Sequence, residues 1–176
     1  ILPTYLLAAA ARERVGVVLS GEGADELFGG YPTYLGHKLA PWIPGWLRPL
    51  ANLFPSSAGR VPVSFLLKRL IAHAGKPWLE RHVAWMGTGL AGRTGGWTDG
   101  RMADSYAIPS DHPTIRPSDD ILSDAMDFDY RTYLRDGLLP KLDRATMLVS
   151  LEARAPYLDR DVTAFALGLP GSARVR

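Results

Sequence analysis

The sequence predicts a mainly helical chain organised around one short strand, part of an α/β fold. Three observations carry this. Val15-Gly16-Val17-Val18-Leu19 is a brief, β-branched apolar run, which reads as a fully buried strand over residues 15–19. Apolar residues recur at helical spacing over Val63–His73 and Trp78–Met86, and the chain turns helical again beyond Asp119. Directly after the strand, Ser20-Gly21-Glu22-Gly23-Ala24-Asp25-Glu26 sets small residues before carboxylates. That composition suits a strand-to-helix turn at the carboxyl end of a strand, where open α/β sheets collect ligands.

The elements follow in order. Pro3 to Arg14 reads as a helix, with proline near its first turn and an alanine run behind it. The strand comes at once, then a helix over Ala24–Phe28 and a helical stretch near Thr33–Leu39. Pro41, Pro44, Gly45 and Pro49 break the chain repeatedly, so Trp42–Phe54 reads as short helical turns. Ser56, Ser57 and Gly59 mark a loop, and the Gly-rich Gly87–Gly100 and Pro-rich Ile108–Pro117 are irregular. Helices are expected over about 120–135, 138–150 and 160–168, with Pro140 tolerable only in a first turn. There is no internal repeat and no low-complexity tract.

Bulk properties narrow the classes. The 176 residues suffice for one domain or part of a larger one. Hydrophobic content of 47% and charged content of 22% are ordinary for a soluble globular chain. A net charge of +2, with dispersed basic residues, argues against a nucleic-acid partner. The absence of cysteine excludes disulfides, thiolate catalysis and Cys-based zinc sites. No apolar run is long enough to span a bilayer, and no signal peptide is present, so a cytoplasmic location is the default expectation. The opening at Ile1, without methionine, reads as a piece cut from a longer polypeptide.

The turn after the strand holds the most chemistry. Its glycines let the backbone turn sharply and approach a bound group. Successive N–H groups in such a turn can cradle an anion, with carboxylates beside it to hold Mg²⁺ or assist proton transfer. The plain alternatives are an ordinary strand-to-helix turn for Ser20 and Gly21, a solvated carboxylate for Glu22, and helix-dipole compensation for Asp25 and Glu26.

Ser20 to Tyr31, SGEGADELFGGY, follows the apolar strand without interruption. A second block runs Asp136-Gly137-Leu138-Leu139-Pro140-Lys141-Leu142-Asp143-Arg144-Ala145-Thr146-Met147, then Ser150-Leu151-Glu152-Ala153-Arg154-Ala155-Pro156-Tyr157-Leu158-Asp159. Together, in this order, the two blocks resemble the C-terminal synthetase domain of the glutamine-dependent asparagine synthetases. The resemblance implies an α/β PP-loop ATP pyrophosphatase fold (adenine nucleotide alpha-hydrolase-like), of which residues 1–176 form a partial domain. It also implies ATP and Mg²⁺ as cofactors, and aspartate, ATP and glutamine-derived ammonia as small-molecule substrates. A homo-oligomer is compatible with it.

By the same resemblance, Ser20, Gly21 and Gly23 contact the nucleotide, Asp25 serves magnesium and pyrophosphate, and Glu22 is the acidic residue beside the acyl-adenylate and the incoming amine. Lys141 or Arg144 would face the phosphates or the substrate carboxylate, while Glu152 and Arg154 orient their segment. Opposite charges at such spacing are otherwise small structural ion pairs. The family's SGGxDS phosphate loop does not occur in the sequence, nor does its cysteine nucleophile for glutamine hydrolysis, so these residues alone are expected to make no asparagine. Relatives that close β-lactams or lasso peptides share the chemistry on other acids; Glu22 favours the asparagine type, since the β-lactam formers can carry tyrosine there. A non-catalytic helical assembly module is the remaining alternative.

Other signals are discounted. Gly87-Thr88-Gly89-Leu90-Ala91-Gly92 has a GxGxxG spacing but follows a helical pattern rather than a strand. Gly95-Gly96-Trp97-Thr98-Asp99 lacks a leading serine and a strand before it. His37, His73, His82 and His112 have no metal-ligand spacing. Trp42, Trp46 and Phe54 are expected to pack in the core of the short helices rather than to form a partner surface.

Overall fold

The structure, a computed structural model, describes residues 1–53, 63–86 and 120–175. The expected loops at Ser56–Gly59, Gly87–Gly100 and Ile108–Pro117, together with Phe54 and His112, lie outside the described residues. The chain divides into two compact units. The first joins Ile1–Tyr31 to Leu122–Arg176, and the second is Pro32–Ile121.

In the first unit, helix α1 (Leu2–Arg12) has Pro3 in its first turn, where a missing N–H costs nothing, and its alanines allow close packing on a later helix, α7 (Leu139–Met147). Strand β1 is Val17–Leu19, shorter than the five-residue run. It pairs in parallel with β2 (Glu152–Arg154), in the register Val17 with Glu152, Val18 with Ala153 and Leu19 with Arg154. Ser20 N–H extends the ladder to Arg154 O at 2.7 Å.

Two expectations are corrected here. The strand is not fully buried: Val17 and Leu19 share one face, and Leu19 is 74% exposed. An apolar β-branched run reports a preference for extended backbone, not what covers it. Nor is the strand alone, since β2 forms from Glu-Ala-Arg, residues of poor strand propensity, through backbone hydrogen bonds to β1.

Helix α2 (Ala24–Phe28) follows the turn. Two helices, α6 (Ile121–Asp129) and α7 (Leu139–Met147), are joined without a break by a π-helical segment, Tyr130–Leu138. The sequence reading placed two separate helices here. Leu139 N–H bonds to Leu134 O, five residues back. The wider turn accommodates Pro140, which lacks a donor and in an α-helix would collide with the carbonyl four residues earlier. After α7 the chain leaves the helix through Ser150 in the left-handed region at φ 54°, with Leu151 N–H closing on Thr146 O at 3.1 Å. A 3₁₀ turn (Pro156–Leu158) leads into α8 (Arg160–Leu167), capped by the Asp159 carboxylate, which accepts from Asp161 N–H at 2.9 Å. The short α9 (Gly171–Arg174) ends the described chain, with Arg174 Nη2 donating to Ser123 Oγ at 2.9 Å. Leu27, Met126, Leu134, Ala145, Leu151 and Ala166 form the core.

The second unit contains α3 (Pro32–Leu39), 3₁₀ helices at Ala40–Trp42 and Gly45–Leu53, α4 (Val63–Ala72) and α5 (Trp78–Met86). Its centre is Tyr34, His37, Ile71, His82 and Trp85. Arg81 Nη2 donates to His37 Nδ1 at 3.2 Å, and His37 Nε2 lies 2.9 Å from His82 Nδ1. Because Nδ1 of His37 accepts from arginine, its Nε2 carries the proton and donates to His82. The expected core packing of Trp42 and Trp46 is corrected: they are 85% and 76% exposed. Prolines at 41, 44 and 49 confine the segment to 3₁₀ turns, whose buried positions are taken by Ala40 and Ala51 rather than by the two rings.

Candidate functional site

The Ser20–Asp25 turn is shaped by three local constraints. Ser20 Oγ accepts from Glu22 N–H at 3.2 Å, and Ala24 N–H bonds back to Gly21 O at 3.2 Å, which tightens the backbone into α2. Gly23 caps that helix at φ 91°, a conformation open to glycine at little cost. A Cβ on Gly23 would also strike the side chain of Leu158. The glycine is buried, and its identity answers first to Leu158 and Leu134 packing against it.

The other expected contacts are arranged as follows. Gly21 is exposed and would have open space around a Cβ. Glu22 is half-buried, and Asp25 is exposed, its Oδ1 lying against Gly30 where a Cβ would stand. Lys141 is half-buried and Arg144 exposed on α7; among the described residues, neither forms an ion pair. Glu152 and Arg154 meet as an exposed pair at 2.7 Å on one face of β2.

Folding brings to the turn residues to which the sequence reading gave no site role. Glu26, beside Asp25, is 1% exposed, and Tyr31 Oη donates to its Oε1 at 2.6 Å. Burial raises the Glu26 carboxyl above its ordinary value, against the opposing hydrogen bonds from Tyr31 and the backbone; the charges of Asp25 and Asp129 raise it further. Burial and then Glu26 hold the Tyr31 hydroxyl in its protonated form. Tyr133, on the π-helical segment, meets Tyr31 edge to face with centroids 6.2 Å apart. Its hydroxyl is also raised, first by burial and then by the charges of Glu26, Asp129 and Glu22, so it belongs to the same acidic neighbourhood. Phe28 packs edge-on to Tyr157 at 6.1 Å. The turn after β1, the π-helical segment and the Pro156–Leu158 turn therefore build one locale. Tyr31 lies within the first sequence block and Leu158 within the second, but nothing in the sequence joins them; Tyr133 lies in neither block and arrives by tertiary folding.

Among the described residues, no group of three or more His, Asp or Glu side chains could hold a metal by itself. One exposed carboxylate at Asp25, four residues after the open backbone of Gly21, nevertheless suits Mg²⁺ bound with phosphate oxygens, because that ion commonly takes one or two protein carboxylates. No described helix is long and apolar enough to cross a membrane.

The family model for asparagine synthase matches residues 1–176. A glutamine-hydrolyzing asparagine synthetase from Mycobacterium tuberculosis is 34% identical over 188 residues, covering 99% of this chain and 27% of its own length. The corresponding synthetase 1 of Bacillus subtilis is 29% identical over 185 residues, covering 99% of this chain and 28% of itself. In a Methanocaldococcus jannaschii relative of the same name, numbered 2, identity rises to 45% over 56 residues, 30% of this chain and 11% of that protein. The chain thus spans about a quarter of the length of the first of these relatives. No solved structure matches. With its whole length matched and its two sequence blocks folded around one turn, the chain belongs to the asparagine synthase family.

Proposed function

We propose that the chain supplies part of the synthetase site of an ATP-dependent, glutamine-hydrolysing asparagine synthase, a carbon–nitrogen ligase of the PP-loop ATP pyrophosphatase type. The side-chain carboxylate of aspartate attacks the α-phosphorus of ATP, and pyrophosphate leaves. Ammonia derived from glutamine then displaces AMP from the acyl-adenylate, giving the amide. The observation that carries this reading is the Ser20–Asp25 turn, whose open glycine, half-buried carboxylate and exposed carboxylate lie in sequence at the end of β1.

The residues divide the work by their surroundings. Ser20 and Gly21 form the part of the turn that a nucleotide can approach, since nothing crowds Gly21. Gly23 holds the turn's shape against Leu158. Asp25 would hold Mg²⁺, and a bound Mg²⁺ would neutralise charge on the departing pyrophosphate. Glu22 takes the proton that the ammonia nitrogen sheds as it adds to the acyl-adenylate, a role suited to a half-buried carboxylate within an acidic and aromatic neighbourhood. Lys141 and Arg144 offer cations for the phosphates or the substrate carboxylate.

In the protein that carries this chain, Glu22→Gln is expected to leave ATP binding in place while slowing amide formation by about a hundredfold, within the usual contribution of a positioned acid–base group. Asp25→Asn should lower aspartate-dependent pyrophosphate release more than it lowers the melting temperature. Full amide formation by the Glu22 variant, or undiminished pyrophosphate release by the Asp25 variant, would remove that residue from its role.

A further inference from the structure

Helix α2 has five residues, too few to hold itself by its own backbone bonds, and glycines in the left-handed region bracket it: Gly23 at φ 91° and Gly29 at φ 70°. What fixes it lies in its side chains. Leu27 is fully buried, and Glu26 turns inward to accept from Tyr31, which lies beyond the Gly29–Gly30 bend. That hydrogen bond closes the bend onto the helix. The Tyr31 ring in turn rests edge-on against Tyr133 of the π-helical segment, a kind of irregularity frequent at functional sites. Losing the hydroxyl would leave a buried carboxylate without one of its donors, a strongly unfavourable state that the bracketing glycines allow the helix to relieve by moving.

We propose that Tyr31 is a positioning residue: through Glu26 it fixes α2, and thereby the carboxylates of Glu22 and Asp25, against the π-helical segment. The proposal rests on reading the turn as the reacting site, and deepens that reading.

The test uses the whole protein that carries this chain, with Tyr31→Phe and the double variant Tyr31→Phe/Glu26→Met. In Tyr31→Phe, kcat for amide formation with aspartate, MgATP and ammonia is expected to fall at least about tenfold while the KM for ATP changes less than about threefold, the pattern of a lost transition-state arrangement rather than lost binding. Amide hydrogen exchange at Glu22, Ala24 and Leu27 should accelerate about tenfold or more, with α7 unchanged. The double variant, which removes both polar partners, should be no slower in kcat than Tyr31→Phe; it also serves, with the same exchange readout, if Tyr31→Phe alone does not fold. Unchanged exchange at the three amides, or losses that multiply between the two positions, would overturn the proposal. Should the wild-type protein release no pyrophosphate with aspartate and ATP, the functional reading fails, and the exchange measurement still decides the positioning role.

Discussion

At Gly23, backbone conformation and packing make the same demand. The φ of 91° places any L-residue in an unfavourable region, at about 1–2 kcal/mol, and the Leu158 side chain occupies the space a Cβ would need. With an overpacking cost of about 1–3 kcal/mol, Gly23→Ala is expected to destabilise the first unit by about 2–5 kcal/mol, read as a lowered denaturation midpoint. A midpoint unchanged from wild type would show that the turn relaxes freely. His37 provides a residue-scale prediction of another kind. Burial, then the neighbouring His82 and Arg81, pushes its imidazole down to about 3 from an ordinary 6.5. The unfolded chain therefore takes up the proton first as pH falls. The associated stability is whole above pH 6.5 and is lost progressively as pH drops from 6.5 towards 3. Burial lowers His73 as well, adding in the same direction. Trp78 and Trp85 flank His37, so their fluorescence should report a falling melting temperature between pH 7 and 5. A flat profile would mean that His37 is protonated without penalty.

Among the elements, the stretch from Ile121 to Met147 is the most instructive, because one helix changes its hydrogen-bond register and back again. A π-helical register is rare and mostly confined to short stretches inside α-helices. Amides within Tyr130–Leu138 are therefore expected to exchange faster than those of Ile121–Asp129 and Leu139–Met147; uniform protection along the whole stretch would contradict the altered register. The sequence discloses such features unequally. SGEGADELFGGY was legible because its turn, its carboxylates and Tyr31 are neighbours in the chain, so composition alone places them together. The helices at 63–72 and 78–86 were legible because their apolar period is long and regular. Strand β2 was not, because Glu-Ala-Arg is recruited by the backbone of β1 rather than by its own propensity. The π register was not, because side-chain pattern does not distinguish a bond to the fourth residue back from one to the fifth; Pro140 alone hinted at it. The burial of Glu26 and the arrival of Tyr133 and Leu158 depend on segments far apart in sequence, which periodicity cannot join.

For the whole molecule, the first unit presents many large apolar side chains to solvent: Leu2, Leu6 and Leu7 on α1, Leu19 on β1, Met147 and Leu148 at the end of α7, and Phe165 on α8. Exposed apolar surface on this scale, with a two-stranded sheet whose edges can pair, favours association. The isolated 176 residues are expected to sediment as a concentration-dependent mixture, and a sharp monomer boundary at high concentration would argue otherwise. The parallel pairing of β1 with β2 has a temporal consequence. Val17 bonds into a ladder with Glu152 only after the chain between them, including the entire second unit, has been made and its ends brought together. Loop closure grows only slowly in entropic cost with length, so the delay weighs on rate more than on final stability. During synthesis the second unit can condense on its own local contacts while SGEGADELFGGY, made before it, waits for β2. The turn that carries the chemistry therefore leaves the ribosome well before β2 and acquires its shape only once β2 has followed.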